Sequence, residues 1–162
     1  METKSNLKPI SNIRITVREN GQITEQVTLK NTITNLLFNL YRDALAGDFG
    51  NILDAKIKHI AIGDDNTAPA VTDTTLGNEV FRVPLTDEDV SVTAQYTTVF
   101  YLAPDEAIGA IEELGWFAGT GSNDWPGGIN TGTLIARVLW EHTKTAVESI
   151  QFERIDKIEE KV

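Results

Sequence analysis

The sequence has no cysteine, one methionine, two histidines and five prolines among its 162 residues. Without cysteine there are no disulfides, no thiolate metal sites and no cysteine nucleophile, so stability has to come from packing within the chain or against neighbouring subunits. His59 and His142 stand alone, in no HExxH or HxH spacing, which leaves zinc without its usual ligand pattern. No apolar run approaches the roughly 20 residues of a membrane-spanning helix, and Met1 to Ile10 lacks the apolar stretch of a secretory signal. Cations are scarce too: 14 Lys and Arg face 24 Asp and Glu, for a formal net charge of -10. Such a chain has no surplus of positive charge to displace counterions from nucleic acid. A self-repelling acidic surface suits a protein kept soluble at high local density. Neither a nucleic acid, a membrane nor a cofactor is expected as a partner.

What remains is a hydrophobic fraction of 41%, enough for a real core, and no composition break or repeat that would divide the chain. A single domain over residues 1–162 is expected, with 1–10 and 156–162 as flexible ends. Ile13, Ile15 and Val17 alternate with Arg14, Thr16 and Arg18, the pattern of a half-buried strand. Asn20-Gly21 then suits a tight hairpin turn, and Ile23, Val27 and Leu29 mark the returning strand. Ile33, Leu36, Leu37, Leu40, Tyr41, Ala44 and Leu45 recur at helical spacing, with Asn31 or Thr32 placed to cap the start and Gly47 to end the helix. The apolar stripe of this helix is expected to pack on the sheets. After a loop over 48–54, strands are expected at 56–63, 78–82, 90–102, 110–117, 133–140 and 146–155, with a glycine-rich loop over 118–132. The fold expected is mainly β, an antiparallel β-sandwich with an N-terminal hairpin and one amphipathic helix.

Chemistry-bearing patterns are sparse. Asp64, Asp65, Asn66 and Asp73 offer oxygen ligands, but an EF-hand counted from Asp64 would need glycine where Pro69 stands and glutamate where Thr75 stands. Asx turns are the simpler use of these side chains. Glu112 and Glu113 are adjacent in a strand and point to opposite faces, so they cannot converge on one substrate atom with Asp105 or Glu106. No serine lies in a GxSxG elbow, and the glycines of the 118–132 loop follow neither a Walker nor a dinucleotide pattern. No catalytic or metal residue is therefore assigned. Trp125, beside Pro126 in that loop, is the side chain best placed to offer an exposed ring to a glycan.

Three motifs carry a family resemblance. Ile60-Ala61-Ile62-Gly63-Asp64-Asp65-Asn66-Thr67-Ala68-Pro69, followed by Asp73-Thr74-Thr75-Leu76-Gly77-Asn78-Glu79-Val80-Phe81-Arg82, resembles a block of bacteriophage tail-collar fibre and related tail or baseplate proteins. Ile111 to Phe117 and Gly132 to Arg137 are similar to later strands of the same family, in the same order. The resemblance spans roughly residues 31–155 and implies a non-enzymatic virion protein, assembled in the host cytoplasm. Its expected role is a tail, baseplate or fibre-attachment connector in a symmetric homo-oligomer, with a trimer favoured and other virion proteins as partners. A capsid or neck decoration (head-fibre) protein and a host-glycan-binding module are the alternatives. Glu79, Arg82, Glu113 and Arg137, the charged positions of the motifs, are expected to form a network between sheets or subunits, with Arg82 and Glu113 as one pair. Partner contacts are expected at 64–72 (Asp64, Asp65 and Asn66 among them), at 123–131 with Trp125, and on the N-terminal hairpin.

Overall fold

The computed structural model describes residues 6–48 and 55–161. In chain order the elements are β1 (Asn6–Glu19), β2 (Gln22–Lys30), β3 (Thr32–Ile33), α1 (Asn35–Ala46), β4 (Ile57–Gly63), β5 (Glu79–Asp89), β6 (Gln95–Leu102), β7 (Gly109–Ala118), β8 (Thr133–Lys144) and β9 (Glu148–Lys161). The expected hairpin is present: Asn20 and Gly21 both take positive φ, 51° and 81°, so that Glu19 lies opposite Gln22.

The strands form an antiparallel sheet in the order β2-β1-β9-β6-β5-β4-β7-β8-β3. It folds over on itself because β5 changes partners. Up to Pro84 it pairs with β4, and from Leu85 it pairs with β6. One half is thus β2-β1-β9-β6 with the end of β5, the other the start of β5 with β4-β7-β8-β3. Side chains from both halves meet in one core: Ile13, Ile15, Phe100 and Phe152 from the first, Ile60, Ile62, Leu114, Trp116 and Trp140 from the second. The Trp140 ring meets Phe152 edge-on at 6.1 Å across the interior. This is the expected mainly-β sandwich with one helix, nearly closed on its far side, where Glu25 of β2 reaches His142 of β8 at 3.4 Å.

Four expectations need correction. Residues 6–10 and 156–161 are not loose ends but the paired extremities of β1 and β9, Asn6 opposite Lys161; each end supplies the other's ladder. The long strand expected from Val90 starts only at Gln95, while β5 runs on through Thr86, Asp87, Glu88 and Asp89. That acidic run looks unlike a strand, yet it lies opposite Thr97, Thr98 and Val99, with its side chains in water. The helix begins later than expected, with Thr34 at its N-cap position, because Thr32 and Ile33 pair with Arg137 and Ala136 of β8. The Thr34 hydroxyl does not cap the helix but donates to Leu134 O at 2.6 Å, tying the helix start to β8. Finally, no α1 side chain is fully buried. Leu37 and Leu40 pack on the core, but Phe38, Tyr41 and Leu45 remain 49%, 54% and 74% exposed. The two sheet halves fill the interior by themselves, so the helix covers their margin with only part of its stripe. The expected loop over 48–54 lies outside the described residues except for Asp48.

Candidate functional site

The outer face of the second half carries the unusual chemistry. Strand pairing places Arg82, Ala61, Gly115 and Arg137 in one row across β5, β4, β7 and β8, with Glu79, Gly63 and Glu113 in a neighbouring row. Two long connections lie over these rows, one from Asp64 to Asn78 and one from Gly119 to Gly132. Leu76 comes down from the first and joins Ala61, Phe117 and Leu134 in a small second core. Glycine is required beneath them. A Cβ on Gly115 would lie 2.6 Å from a Leu76 methyl, and one on Gly63 would lie 2.6 Å from Glu113 Cγ.

Each loop is fastened by a buried ion pair. Arg82 donates through Nε and Nη2 to the two oxygens of Glu79, at 2.6 and 2.9 Å, and neither side chain is exposed to solvent. Its Nη1 reaches into the second loop, to Ser122 Oγ, Asn123 O and Thr131 O at 3.2, 3.2 and 3.1 Å. Glu79 completes the tie by accepting Asn130 N–H at 2.8 Å. The guanidinium lies 4.7 Å over the Phe117 ring. On the other side, Arg137 donates through Nε to Glu113 at 2.7 Å, through Nη1 to Asp73 at 2.9 Å and through Nη2 to Thr67 O at 3.0 Å. Glu113 also accepts the Gly77 and Asn78 N–H groups at 3.1 and 2.9 Å. Burial works against the Arg137 charge, but Asp73 and Glu113 outweigh it and hold the guanidinium above its ordinary value.

The four charged residues singled out in the sequence therefore meet as two pairs, Glu79 with Arg82 and Glu113 with Arg137. The Arg82–Glu113 pair is not formed, because each arginine takes the carboxylate nearest the loop it secures. The pairs join loops to one sheet face; they do not bridge sheets, and their burial within one chain closes them to a partner subunit. Of the loop residues singled out, Asp64 accepts the Asn78 amide at 2.6 Å, and Asp65 accepts Thr67 N–H at 2.8 Å in an Asx turn. The Thr67 hydroxyl and then its N–H hold the Asp65 carboxyl below its ordinary range. Asn66 is exposed at the tip. Trp125 belongs to the other loop, partly exposed, with its ring 5.2 Å from that of Phe81.

Asp73, Ser122 and His59 also belong to the network. Asp73 was readable only as a turn residue, since its second role depends on Arg137 arriving from β8. His59 Nδ1 lies 2.7 Å from Ser122 Oγ and its Nε2 lies 2.8 Å from Asp124. A hydroxyl, an imidazole and a carboxylate in series resemble a nucleophilic triad, but burial runs the wrong way. The Asp124 side chain is 80% exposed, whereas Ser122 is buried and its Oγ also accepts from Arg82. A nucleophile has to be open to substrate and its orienting acid sheltered. These contacts make His59 a clasp between β4 and the second loop.

Comparison with known protein families, curated proteins and solved structures gives no match. The functional reading therefore rests on the motifs and on this geometry.

Proposed function

We propose that this chain is a non-enzymatic structural protein of a tailed bacteriophage virion, a connector of the tail, baseplate or fibre-attachment region working in a symmetric assembly. The observation that carries this reading is that the charged motif residues lie buried in two ion pairs, each holding a surface loop in a fixed shape. Buried ion pairs contribute little net stability, because desolvation offsets their attraction, but they specify geometry. Fixed, polar loop surfaces are what a protein needs when it binds by complementarity rather than by chemistry. The motifs on which the family resemblance rests lie largely on four adjoining strands, β4, β5, β7 and β8, and in the loop leading into β5. The half-exposed Phe38 and Tyr41 and the largely exposed Leu45 of α1 add an apolar surface of the kind that subunits bury against one another.

Reconstruction of purified particles by electron cryomicroscopy tests the proposal. Density for this chain at the tail tip, baseplate or fibre root is the expected result. Density over the capsid lattice or neck would make it a decoration protein instead, and absence from the particle would end the virion reading altogether.

A further inference from the structure

Among the described residues, nothing pairs with the edge of β1 where the chain departs from it. β2 pairs with β1 only as far as Lys30, opposite Asn12; the chain then crosses through Asn31 so that β3 can pair with β8. β1 extends back from there to Asn6, held on its other side by β9. Pro9, which has no N–H to give to a ladder, stands in this open stretch, as a sheet edge tolerates. Beside it lies a cavity of about 500 Å³ walled by Pro9, Ser11, Lys30, Asn31, Ile33 and Phe38 among others. A second cavity of about 250 Å³ shares Pro9 and Phe38 and runs on to Leu37, Tyr41 and Ile158. Together they make a trough along the open edge, apolar at one end.

Three features indicate what the trough takes. Ser11 Oγ and Asn31 Nδ2 are buried without a hydrogen-bond partner among the described residues, and Ser11 as a whole is 7% exposed. Native folds leave few such groups, and each calls for a reason. Lys30, on the same wall, makes no ion pair among the described residues, although the chain carries ten more negative than positive charges. The floor beyond Phe38 is apolar. An open strand edge, a cation and an amide donor beside an apolar floor match an extended peptide with a carboxylate next to a large apolar side chain.

We propose that the β1 edge at Pro9–Ser11 binds such an acidic, apolar segment of a partner protein by strand addition, in line with β2. Main-chain bonds to the edge would supply affinity, and the trough would select the side chains. The proposal deepens the connector reading and rests on it only for the source of the segment.

The test uses the ¹⁵N-labelled full chain and three probes: the capped peptide acetyl-Thr-Glu-Phe-Thr-Val-amide, the same peptide with Gln for Glu, and octanoate. The first peptide is expected to shift the amide resonances of Ile10, Ser11 and Asn31 and to slow hydrogen exchange along the open edge. Lys30→Glu, a change at an exposed position, is expected to weaken binding roughly tenfold with an unchanged thermal melt, and the Gln peptide to show the same loss. Equal shifts from octanoate without slowed exchange would overturn strand addition and leave only an apolar hole. Shifts confined to the outer edge of β2, or none at on the order of 5 mM peptide, would also overturn it. Neither outcome touches the location of the chain on the particle, so the two readings fail separately.

Discussion

Replacing Glu113 by Ala isolates one of the two loop ties. Glu113 accepts three hydrogen bonds, from Arg137 Nε and from the Gly77 and Asn78 amides, and its side chain is fully shielded. Removing one partner of a buried ion pair costs about 3–5 kcal/mol. Arg137 keeps Asp73 and Thr67 O, which places the expected loss near the lower end, about 3 kcal/mol. For a domain of this size each kcal/mol moves Tm by about 2–4 °C, so the melt should fall by roughly 6–12 °C. Urea unfolding followed by circular dichroism gives the free energy directly, provided the transition stays two-state with an unchanged m value. A double-mutant cycle with Arg137→Met should show strong coupling, whereas Glu113→Ala combined with Arg82→Met should add within about 0.5 kcal/mol, since the two side chains share no partner among the described residues. A loss below about 1 kcal/mol for Glu113→Ala, or strong coupling to Arg82 instead, would refute the assignment of the pairs.

Other outcomes follow from the same structure. Gly115→Ala should destabilise the chain measurably in the same urea assay, because the new methyl group displaces Leu76 from the second core. Leu45→Ser, at a position 74% exposed, should leave the melt within about 0.5 kcal/mol of the parent but weaken self-association in sedimentation equilibrium if α1 faces another subunit. Trp125→Ala should abolish any retention on a glycan array while leaving the fold intact, and a parent chain with no glycan signal would remove that alternative. Burial pushes the Glu148 carboxyl up, but the Thr145 N–H and hydroxyl and nearby His142 outweigh it, so the group lies below its ordinary 4.5. The folded state then holds fewer protons than the unfolded one below that value. Its stabilising contribution is complete above pH 4.5 and is lost as the pH falls through the depressed value; Glu148→Gln should flatten this part of an acid titration.

Much of the fold was legible because alternation and turn chemistry are local. Ile13, Ile15 and Val17 with Asn20-Gly21 announce a hairpin whatever lies around them, and Gly47 ends α1 in the left-handed conformation, φ 73°. What could not be read depends on distant partners. Asp87 to Asp89 look like a loop until β6 is known to lie beside them, and Thr32 and Ile33 look like the start of a helix until β8 is there to pair with them. The motifs of the family resemblance marked Glu79, Arg82, Glu113 and Arg137 as a set, but the pairing follows from strand order: Arg82 and Glu113 stand on β5 and β7, with β4 between them. Sheet topology also decides that His59, apparently an ordinary strand residue, meets Ser122 and Asp124.

The pairing of β1 with β9 over their whole lengths joins residues near opposite ends of the sequence. Contacts of such long range slow folding, because the loop entropy of the entire chain has to be overcome before the contacts can repay it. On a ribosome, β1 and β2 emerge before β9 and can form their hairpin, yet Ile13, Ile15 and Val17 lack Ile150 and Phe152, members of the same core, until β9 has been synthesised. Until then the nascent chain presents an apolar ribbon with an unfilled edge, the form in which β proteins are most prone to associate with the wrong partner. Synthesis of β9 and closure of the sandwich are thus nearly the same event, and truncation within β9 should leave a chain that aggregates rather than a smaller soluble domain.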